Sequence, residues 1–251
     1  MTDLHCHILP GMDDGAKDIE VARQMLEKEK ADGVTNIMFT SHFNYERTTV
    51  EEYLEKRQRA YEILLEGLGE VAKDFYFKLG AEVFFSPGLC ELEADKLCLG
   101  DTDYMLLEFP TTHKPHFIRE TLYNLQSQGI VPLIAHVERY SYAMEDFKLL
   151  YDWINAGAYA QINASSLLKN NKEAKLLLKL IEWELVHVIA TDTHSMDKRS
   201  PKMARAFAHV EEKLGKKSAE QLKKNADEIF RNEELDVVEP HMPRKVFGVW
   251  R

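Results

Sequence analysis

The chain contains little cysteine and no long apolar run. Its three cysteines, Cys6, Cys90 and Cys98, are an odd and sparse set among 251 residues, which argues against a disulfide framework and favours a reducing compartment. No hydrophobic stretch approaches the roughly 20 residues that a membrane-spanning helix needs. The first residues, from Met1 to His5, lack the basic and apolar regions of a signal peptide. We therefore expect a cytoplasmic protein that does not insert into a membrane.

Positive charge is also scarce. Lys and Arg number 32 against 42 Asp and Glu, so the formal net charge is -10. Non-specific attraction to nucleic acid or to an anionic membrane is therefore disfavoured, and we expect no nucleic-acid partner. Hydrophobic residues make up 45% of the chain and charged residues 29%, which is ordinary for a globular protein.

Several catalytic motifs are missing. Cysteine-dependent phosphatases place an arginine six residues after the nucleophile, but here the residues at that distance from the cysteines are Met12, Lys96 and Tyr104. That mechanism is excluded, and Cys6 is expected to be a small buried hydrophobe. Neither a Gly-x-Ser-x-Gly elbow nor a phosphate-binding Gly-x4-Gly-Lys loop is present.

Short apolar segments alternate with longer segments of helical period, which predicts a parallel sheet, closed or open. The predicted strands are Thr2–His5, Asn36–Thr40, Tyr76–Val83, Tyr104–Glu108, Val131–Ala135, Tyr159–Ile162 and His187–Ala190. The predicted helices lie near Ile19–Ala31, Val50–Leu68, Ile118–Gln128, Asp146–Asn155, Glu173–Ile181, Pro201–Leu214 and Ala219–Phe230. Seven strands would make a barrel one unit short of the eight-fold kind. We expect residues 1–251 to form a single domain, in which 233–251 is a tail that serves as an extended arm or a partner contact.

Side chains that can bind a metal recur at the ends of the predicted strands. His5 and His7 are two residues apart, so both imidazoles face the same side of the first strand, and Asp192 and His194 repeat this spacing at the last. The strands between them end in or carry His42, Glu82, Glu108 and His136. Imidazole and carboxylate together suit Zn, Mn, Fe or Mg, and this set exceeds what one ion needs. We therefore predict two or three divalent ions at the carboxyl ends of the strands.

Each of these residues also has an ordinary interpretation. A lone His-x-His is often polar packing, and a lone buried glutamate such as Glu108 more often pairs with Lys or Arg. The joint pattern differs, because it would bury many polar groups together without partners unless a metal supplied them.

Two loops add further candidates. Asp13 and Asp14 follow His7 in a turn, where either one could cap the next helix, and we favour Asp14 as a further ligand. Arg139 lies three residues after His136, and Arg199 lies five after His194. Solvated surface arginines are the alternative, but beside a metal cluster both are expected to bind phosphate oxygens.

These residues resemble those of the polymerase and histidinol phosphatase (PHP) family. Within it the chain is most similar to the bacterial manganese-dependent tyrosine-protein phosphatases of the CpsB/YwqE type, which serve capsule and exopolysaccharide clusters. The matching segments are His5–Asp18, Ala135–Tyr140, Gln161–Ala164 and Ala190–His194. The sequence departs from the family at Ser41, Phe43 and Val137 and over 167–171, which changes no ligand but leaves loop shape and substrate preference open.

The resemblance implies a distorted (β/α)7 barrel of the TIM-like PHP fold with a site for three divalent ions. Manganese is the expected metal, with Fe, Zn, Mg or Co as the alternatives. The first ion would be held by His5, His7, Glu82 and Asp192, the second by Glu82, Glu108 and His136, and the third by Asp14, His42 and His194. Arg139 and Arg199 would meet the phosphate, and His42 or Asp14 would act as the acid.

The function implied is hydrolysis of phosphotyrosine by a metal-bound hydroxide, on the tail of a partner tyrosine kinase. A small-molecule phosphatase of the histidinol phosphate type, a metal-dependent amidohydrolase and a non-catalytic kinase-binding regulator are the alternatives.

Overall fold

Strands and helices alternate along the chain in the computed structural model, which describes residues 1–246, 249 and 250 and the side chains through 244. The strands are β1 (Thr2–Cys6), β2 (Asn36–Phe39), β3 (His42–Phe43), β4 (Tyr76–Leu79), β5 (Glu82–Phe84), β6 (Tyr104–Glu108), β7 (Val131–Ile134), β8 (Tyr159–Asn163), β9 (Val188–Ala190), β10 (Lys245–Val246) and β11 (Val249–Trp250).

The helices are α1 (Ile19–Ala31), α2 (Val50–Leu68), α3 (Ile118–Ser127), α4 (Ser141–Glu145), α5 (Phe147–Asn155), α6 (Ala164–Leu167), α7 (Lys172–Glu182), α8 (Met203–Leu214) and α9 (Lys216–Phe230). Local chemistry sets their ends. The Asp18 side chain accepts a hydrogen bond from the Val21 amide at the start of α1, and Thr49 and Glu52 form a reciprocal capping box at the start of α2. The predicted bounds of both helices are therefore confirmed.

All neighbouring strands of the main sheets are parallel. One sheet has the order β1-β2-β4 and the other the order β3-β5-β6-β7-β8-β9. β5 follows β4 after Gly80-Ala81, so the predicted strand Tyr76–Val83 divides between the two sheets, and β3 follows β2 after Thr40-Ser41, just beyond the end of the predicted strand Asn36–Thr40. A Cβ on Gly80 would lie 3.2 Å from the Leu99 Cα, and the lack of a side chain allows this close approach.

The first and last strands of this curved sheet also meet. The Asp192 amide donates to the His5 carbonyl at 2.7 Å, and the His7 amide donates to the Thr193 carbonyl at 2.9 Å. An isolated parallel bridge joins Cys6 to Thr193. The α/β class with a curved parallel sheet is thus confirmed, while a complete seven-unit barrel stays a prediction.

Apolar packing encloses the sheet on both sides. The larger core lies between the strands and the surrounding helices. A smaller apolar cluster contains Leu106 of β6, Val188 of β9 and Ile229 of α9. It lies on the same face of these strands as Glu108 and Asp192, but nearer to the amino ends of the strands. Helix α9 therefore packs against the strands on the side away from their carboxyl ends.

The tail packs partly against this body. The Tyr104 hydroxyl donates to the Glu233 carbonyl at 2.8 Å, and the His241 amide donates to the Trp183 carbonyl at 2.9 Å. β10 and β11 pair antiparallel, which the sequence pattern did not predict. Among the described residues, no helix has the length and apolar character needed to cross a membrane.

A buried carboxylate ties β1 to the end of β9. Asp3 is fully buried and accepts hydrogen bonds from the Thr191 amide at 2.9 Å and from the Thr191 hydroxyl. Burial beside these groups raises the pKa of Asp3. Glu29 of α1 is equally buried, and burial together with the Asp3 charge raises its pKa well above the usual range. The hydroxyl therefore supports an acidic pair that water does not reach.

We predict that Thr191→Val lowers the free energy of unfolding by about 1–3 kcal/mol, because it keeps the side-chain shape but removes the hydroxyl that donates to the buried Oδ2 of Asp3, while the backbone amide still donates to Oδ1. The matched control is Thr112→Val at an exposed position, expected to stay within about 0.5 kcal/mol of the parent. Urea unfolding of metal-free protein measures both. Equal stabilities for the two variants would contradict the structural role of this hydroxyl.

Candidate metal centre

The carboxyl ends of the strands bring the predicted ligands together around Glu82. One oxygen of this carboxylate, Oε1, lies 2.8 Å from His136 Nε2 and 3.3 Å from His5 Nε2. The other, Oε2, lies 2.9 Å from His42 Nδ1 and 3.2 Å from His7 Nε2. A single carboxylate thus contacts four histidines from three different parts of the chain.

Three groups of side chains have ligand atoms that all lie within 4.8 Å of one another. Each offers enough nitrogen or oxygen atoms to hold a divalent ion. The groups are His7, Asp14, His42 and His194; His5, His7 and Asp192; and His42, Glu82 and Glu108. His136 belongs to none of them, but its Nε2 lies 3.5 Å from Glu108 as well as close to Glu82.

Three histidines present the same nitrogen to the centre. His5 Nδ1 bonds to the Gln161 amide oxygen at 3.1 Å, His7 Nδ1 to Asp13 at 2.7 Å, and His194 Nδ1 to the Asp192 carbonyl at 3.0 Å. Because each Nδ1 faces an acceptor, it carries the proton in the neutral ring and leaves the Nε2 lone pair free. This arrangement is typical of histidines that bind metals.

Two of the predicted ligands have unusual backbone conformations. His136 has φ of 29° and Asp192 has φ of 49°, although non-glycine residues seldom adopt positive φ. Each lies two residues after the end of a strand, β7 and β9 respectively. Strained residues of this kind cluster at functional sites, where the surrounding structure holds them in place.

The site is buried at its base and open at its rim. His5, His7 and Glu82 are almost completely buried, whereas the Glu108 side chain is 17% exposed. The side chains of His42 and Asp14 are 38% and 65% exposed. A substrate therefore approaches from the side of His42 and Asp14.

Nearby carboxylates and burial act in opposite directions on the pKa values of the site histidines. Burial disfavours a charged imidazole, yet contacts with Asp13 and Glu82 raise the pKa of His7 to about 10. Contacts with Glu108 and Glu82 likewise raise the pKa of His136 to about 9 against the effect of burial. His194 is different, since burial lowers its pKa to about 2 and keeps the ring neutral.

The residues fit divalent cations. His194 Nε2 has no hydrogen-bond partner in the part of the chain that the structure describes, and Glu82 Oε2, although close to His7 and His42, forms no hydrogen bond of good geometry with either ring. Leaving such atoms unsatisfied costs about 1–3 kcal/mol each, and more for a charged group. A cation bound by these atoms would remove that cost.

Asp13 is a site residue that sequence reasoning assigned only to a turn or a cap. Its Oδ2 accepts from His7 Nδ1 and, at 3.0 Å, from the His42 amide, while its Oδ1 accepts from the Gly15 amide at 3.0 Å. Asp13 thus orients the His7 ring and fixes the backbone at His42. Asp14, which sequence reasoning favoured as a ligand, has its Oδ1 3.3 Å from His42 Nε2.

β8 was the predicted strand without a ligand, and it contributes the amides that orient the others. Gln161 Oε1 contacts His5 Nδ1 and also accepts from the His136 amide at 2.8 Å. Asn163 donates to Asp192 at 2.7 Å. Because Gln161 and Asn163 are two residues apart, the same alternation that revealed His5 and His7 could have identified them.

Both predicted arginines contact Asp192. Arg139 Nη2 lies 2.5 Å from one oxygen of its carboxylate, and Arg199 Nη2 lies 2.7 Å from the other. The arginine side chains are 36% and 35% exposed. They thus flank one predicted ligand and remain open to an incoming anion.

A groove of about 750 Å³ opens from these arginines. Met144, Leu176 and Leu177 contribute an apolar part of its wall, and the carboxylates of Glu138, Glu145 and Glu173 also line it. The groove therefore combines cationic groups beside the metal centre with a surface that suits an aromatic ring.

Comparison with known proteins shows the family to which the chain belongs. Residues 1–231 match the family model described as capsular polysaccharide synthesis, CpsB/CapC. The tyrosine-protein phosphatase YwqE of Bacillus subtilis is 33% identical, over 99% of this chain and 99% of its own. The tyrosine-protein phosphatase CpsB of Streptococcus pneumoniae is also 33% identical, over 88% of this chain and 94% of its own.

A solved structure agrees in fold over nearly the whole length. It comes from work on YwqE of B. subtilis and CpsB of S. pneumoniae, described as unique metal-dependent tyrosine phosphatases. The TM-score is 0.89 at 31% identity, with 96% of this chain and 98% of that chain covered.

We predict that Asp13→Asn weakens Mn²⁺ binding about 10- to 100-fold, because the variant replaces the carboxylate that orients His7 with a weaker partner. Asp18→Asn, a few residues away, removes the same charge but keeps a good helix cap, and it should bind Mn²⁺ like the parent. Calorimetric titration of metal-free protein measures both affinities. If Asp13→Asn bound as tightly as Asp18→Asn, the supporting role of Asp13 would be ruled out.

Proposed function

We propose that this chain, which belongs to the CpsB/CapC family, is a metal-dependent protein-tyrosine phosphatase that acts on phosphotyrosine in a partner protein. The observation that carries the proposal is the position of Arg139 and Arg199 beside Asp192, between the metal centre and a groove with an apolar wall. A phosphate held by the arginines leaves its aromatic ring facing that wall.

The metal assignment is part of the proposal. His5, His7, Glu82 and Asp192 would hold the first ion, Glu82, Glu108 and His136 the second, and Asp14, His42 and His194 the third. The mixed nitrogen and oxygen donors accept Mn, Fe, Zn, Mg or Co, and we propose manganese. When bound, the ions supply positive charge for the phosphate and a water that is acidic enough to serve as a nucleophile near neutral pH.

The protein groups then bind, orient and exclude water. The planar guanidinium groups of Arg139 and Arg199 donate paired hydrogen bonds to non-bridging phosphate oxygens. A phenolate leaves with modest help from an acid, and His42 or Asp14 is placed for that role because both lie at the open rim. No covalent phosphoenzyme is part of this mechanism, since no cysteine lies among the residues of the centre.

Three wider proposals complete the assignment. The hydrogen bonds between the ends of β1 and β9 support a closed, distorted (β/α)7 barrel of the TIM-like PHP fold. We propose one domain over residues 1–251, with 233–251 as its tail. Free cysteines at positions 6, 90 and 98 support a cytoplasmic location, and a partner tyrosine kinase of capsule or exopolysaccharide synthesis is the proposed substrate protein.

We predict that Mn²⁺-loaded protein releases phosphate from a phosphotyrosine peptide and from p-nitrophenyl phosphate, and that His136→Ala abolishes this activity. The loss in kcat/KM should exceed the roughly 10- to 100-fold effect of removing a group that only supports a ligand. His209→Ala, on α8, is the matched control and should keep the parent activity.

The same assay separates the alternatives. A higher kcat/KM for histidinol phosphate than for the phosphotyrosine peptide would indicate a small-molecule phosphatase. Metal binding without phosphate release would favour an amidohydrolase or a regulator. Undiminished turnover after complete chelation would disprove the proposed function.

We predict that Arg199→Lys lowers kcat/KM for p-nitrophenyl phosphate about 10- to 100-fold, because lysine keeps the charge but loses the paired donors, each worth about 1.5–3 kcal/mol to a charged acceptor. Arg59→Lys, in an exposed helical pair with Glu55, is the control and should be neutral. Metal content is measured alongside, because Arg199 also contacts Asp192. An unchanged kcat/KM at equal metal content would remove Arg199 from the phosphate site.

A further inference from the structure

A second cavity, which we call the basic pocket, adjoins the active-site groove. Its volume is about 310 Å³, and its lining residues are Ser165, Leu168, Lys169, Lys198, Lys202 and Arg205. Ser165 and Lys169 also line the groove that holds Arg139 and Arg199. The two cavities are therefore continuous along one side of the protein.

The charge of this pocket is uncompensated. Its lining contains four cationic side chains and no carboxylate, and within the described ranges none of the four forms an ion pair or a side-chain hydrogen bond. Many lysines elsewhere on the surface are paired, for example Lys28 with Asp32 and Lys148 with Asp152, and the unpaired ones do not gather around one cavity as these four cations do. A group of unpaired cations is unexpected in a chain with a net charge of -10, because ordinary surface composition would have placed carboxylates among them.

The pocket is fixed relative to the phosphate site. Lys198 lines the pocket, and the next residue, Arg199, contacts Asp192 at the metal centre. The Arg199 carbonyl accepts from the Thr193 hydroxyl at 2.8 Å and from the His194 amide at 3.0 Å, which anchors this segment to the metal centre. An anion in the basic pocket and a phosphate at Arg199 would thus lie on two sides of one held segment.

We propose that the basic pocket is a substrate subsite, which binds a second anionic group of the same peptide while its phosphotyrosine lies at the metal centre. The proposal rests on the proposed function. The ligand is a carboxylate or a second phosphate carried by a residue near the phosphotyrosine, since lysine and arginine bind both. The subsite selects acidic or multiply phosphorylated tyrosine segments over neutral ones.

The test compares phosphotyrosine peptides that differ in one neighbouring residue. One series carries alanine, a second glutamate and a third another phosphotyrosine, placed in turn at several positions on either side of the cleaved residue. At low ionic strength we expect kcat/KM for the best anionic peptide to exceed that for the alanine peptide about five- to tenfold. The preference should shrink as salt is raised.

The double variant Lys202→Ala/Arg205→Ala removes half of the cationic lining. We expect the ratio of kcat/KM between anionic and alanine peptides to fall close to one in this variant. Lys213→Ala/Lys216→Ala, at the far end of α8 and the start of α9, loses the same charge and should keep the parent ratio. Thermal unfolding of both variants checks that each is folded.

The outcomes are distinguishable. Equal kcat/KM for anionic and alanine peptides in the parent protein would overturn the subsite while leaving the phosphatase assignment intact. Equal loss of preference in both double variants would also overturn it, because net charge rather than the pocket would then be responsible. Failure to hydrolyse any phosphotyrosine peptide would instead overturn the proposed function.

Discussion

The structure depends on a cluster of carboxylates and imidazoles at the carboxyl ends of the strands. Taking these groups out of water is unfavourable, so something must compensate for their burial. Glu82 is 1% exposed, and four histidine side chains lie within 3.3 Å of its two oxygens. Removing a carboxylate and several imidazoles from water together is expensive, even where they contact one another. Divalent cations would convert this unfavourable cluster into a stable one, because the lone pairs that water cannot reach would become ligands.

Residues that touch no substrate hold this cluster in shape. Gln161 fixes the His5 ring and the backbone at His136, and Asp13 does the same for His7 and the backbone at His42. Asp13 also adds a carboxylate to the four among the predicted ligands, which lowers the positive charge that bound ions leave for a phosphate. Arg139 and Arg199 offset that loss at the point where the groove begins.

Much of this arrangement follows from the sequence, for physical reasons. Strand ends and i, i+2 spacing place His5, His7, Asp192 and His194 because the parallel sheet has one chemical edge. The bend at Gly80-Ala81 was not predictable, since the residues on both sides of it have the pattern of one strand, and the two-residue strand β3 after Thr40-Ser41 is too short to give a pattern. The turn that presents Asp13 to His7 was not predictable either, because neighbouring aspartates in a loop are equivalent until the loop closes. The basic pocket escaped sequence reasoning because Lys169 meets the segment that carries Lys198, Lys202 and Arg205 only in the folded chain.

The protein as a whole carries net negative charge, whereas Arg139 and Arg199 bring positive charge to the metal centre. An acidic exterior repels anions in general, so an anionic substrate gains little from long-range attraction and must be recognised by close contacts. In the proposed function these contacts are made by the guanidinium groups of Arg139 and Arg199 and by the bound ions. A protein built in this way discriminates by local complementarity, since an anion that misses the arginines meets net negative charge. The same argument explains why unpaired cations outside the metal centre carry information: on this background they mark where a second negative charge is accepted.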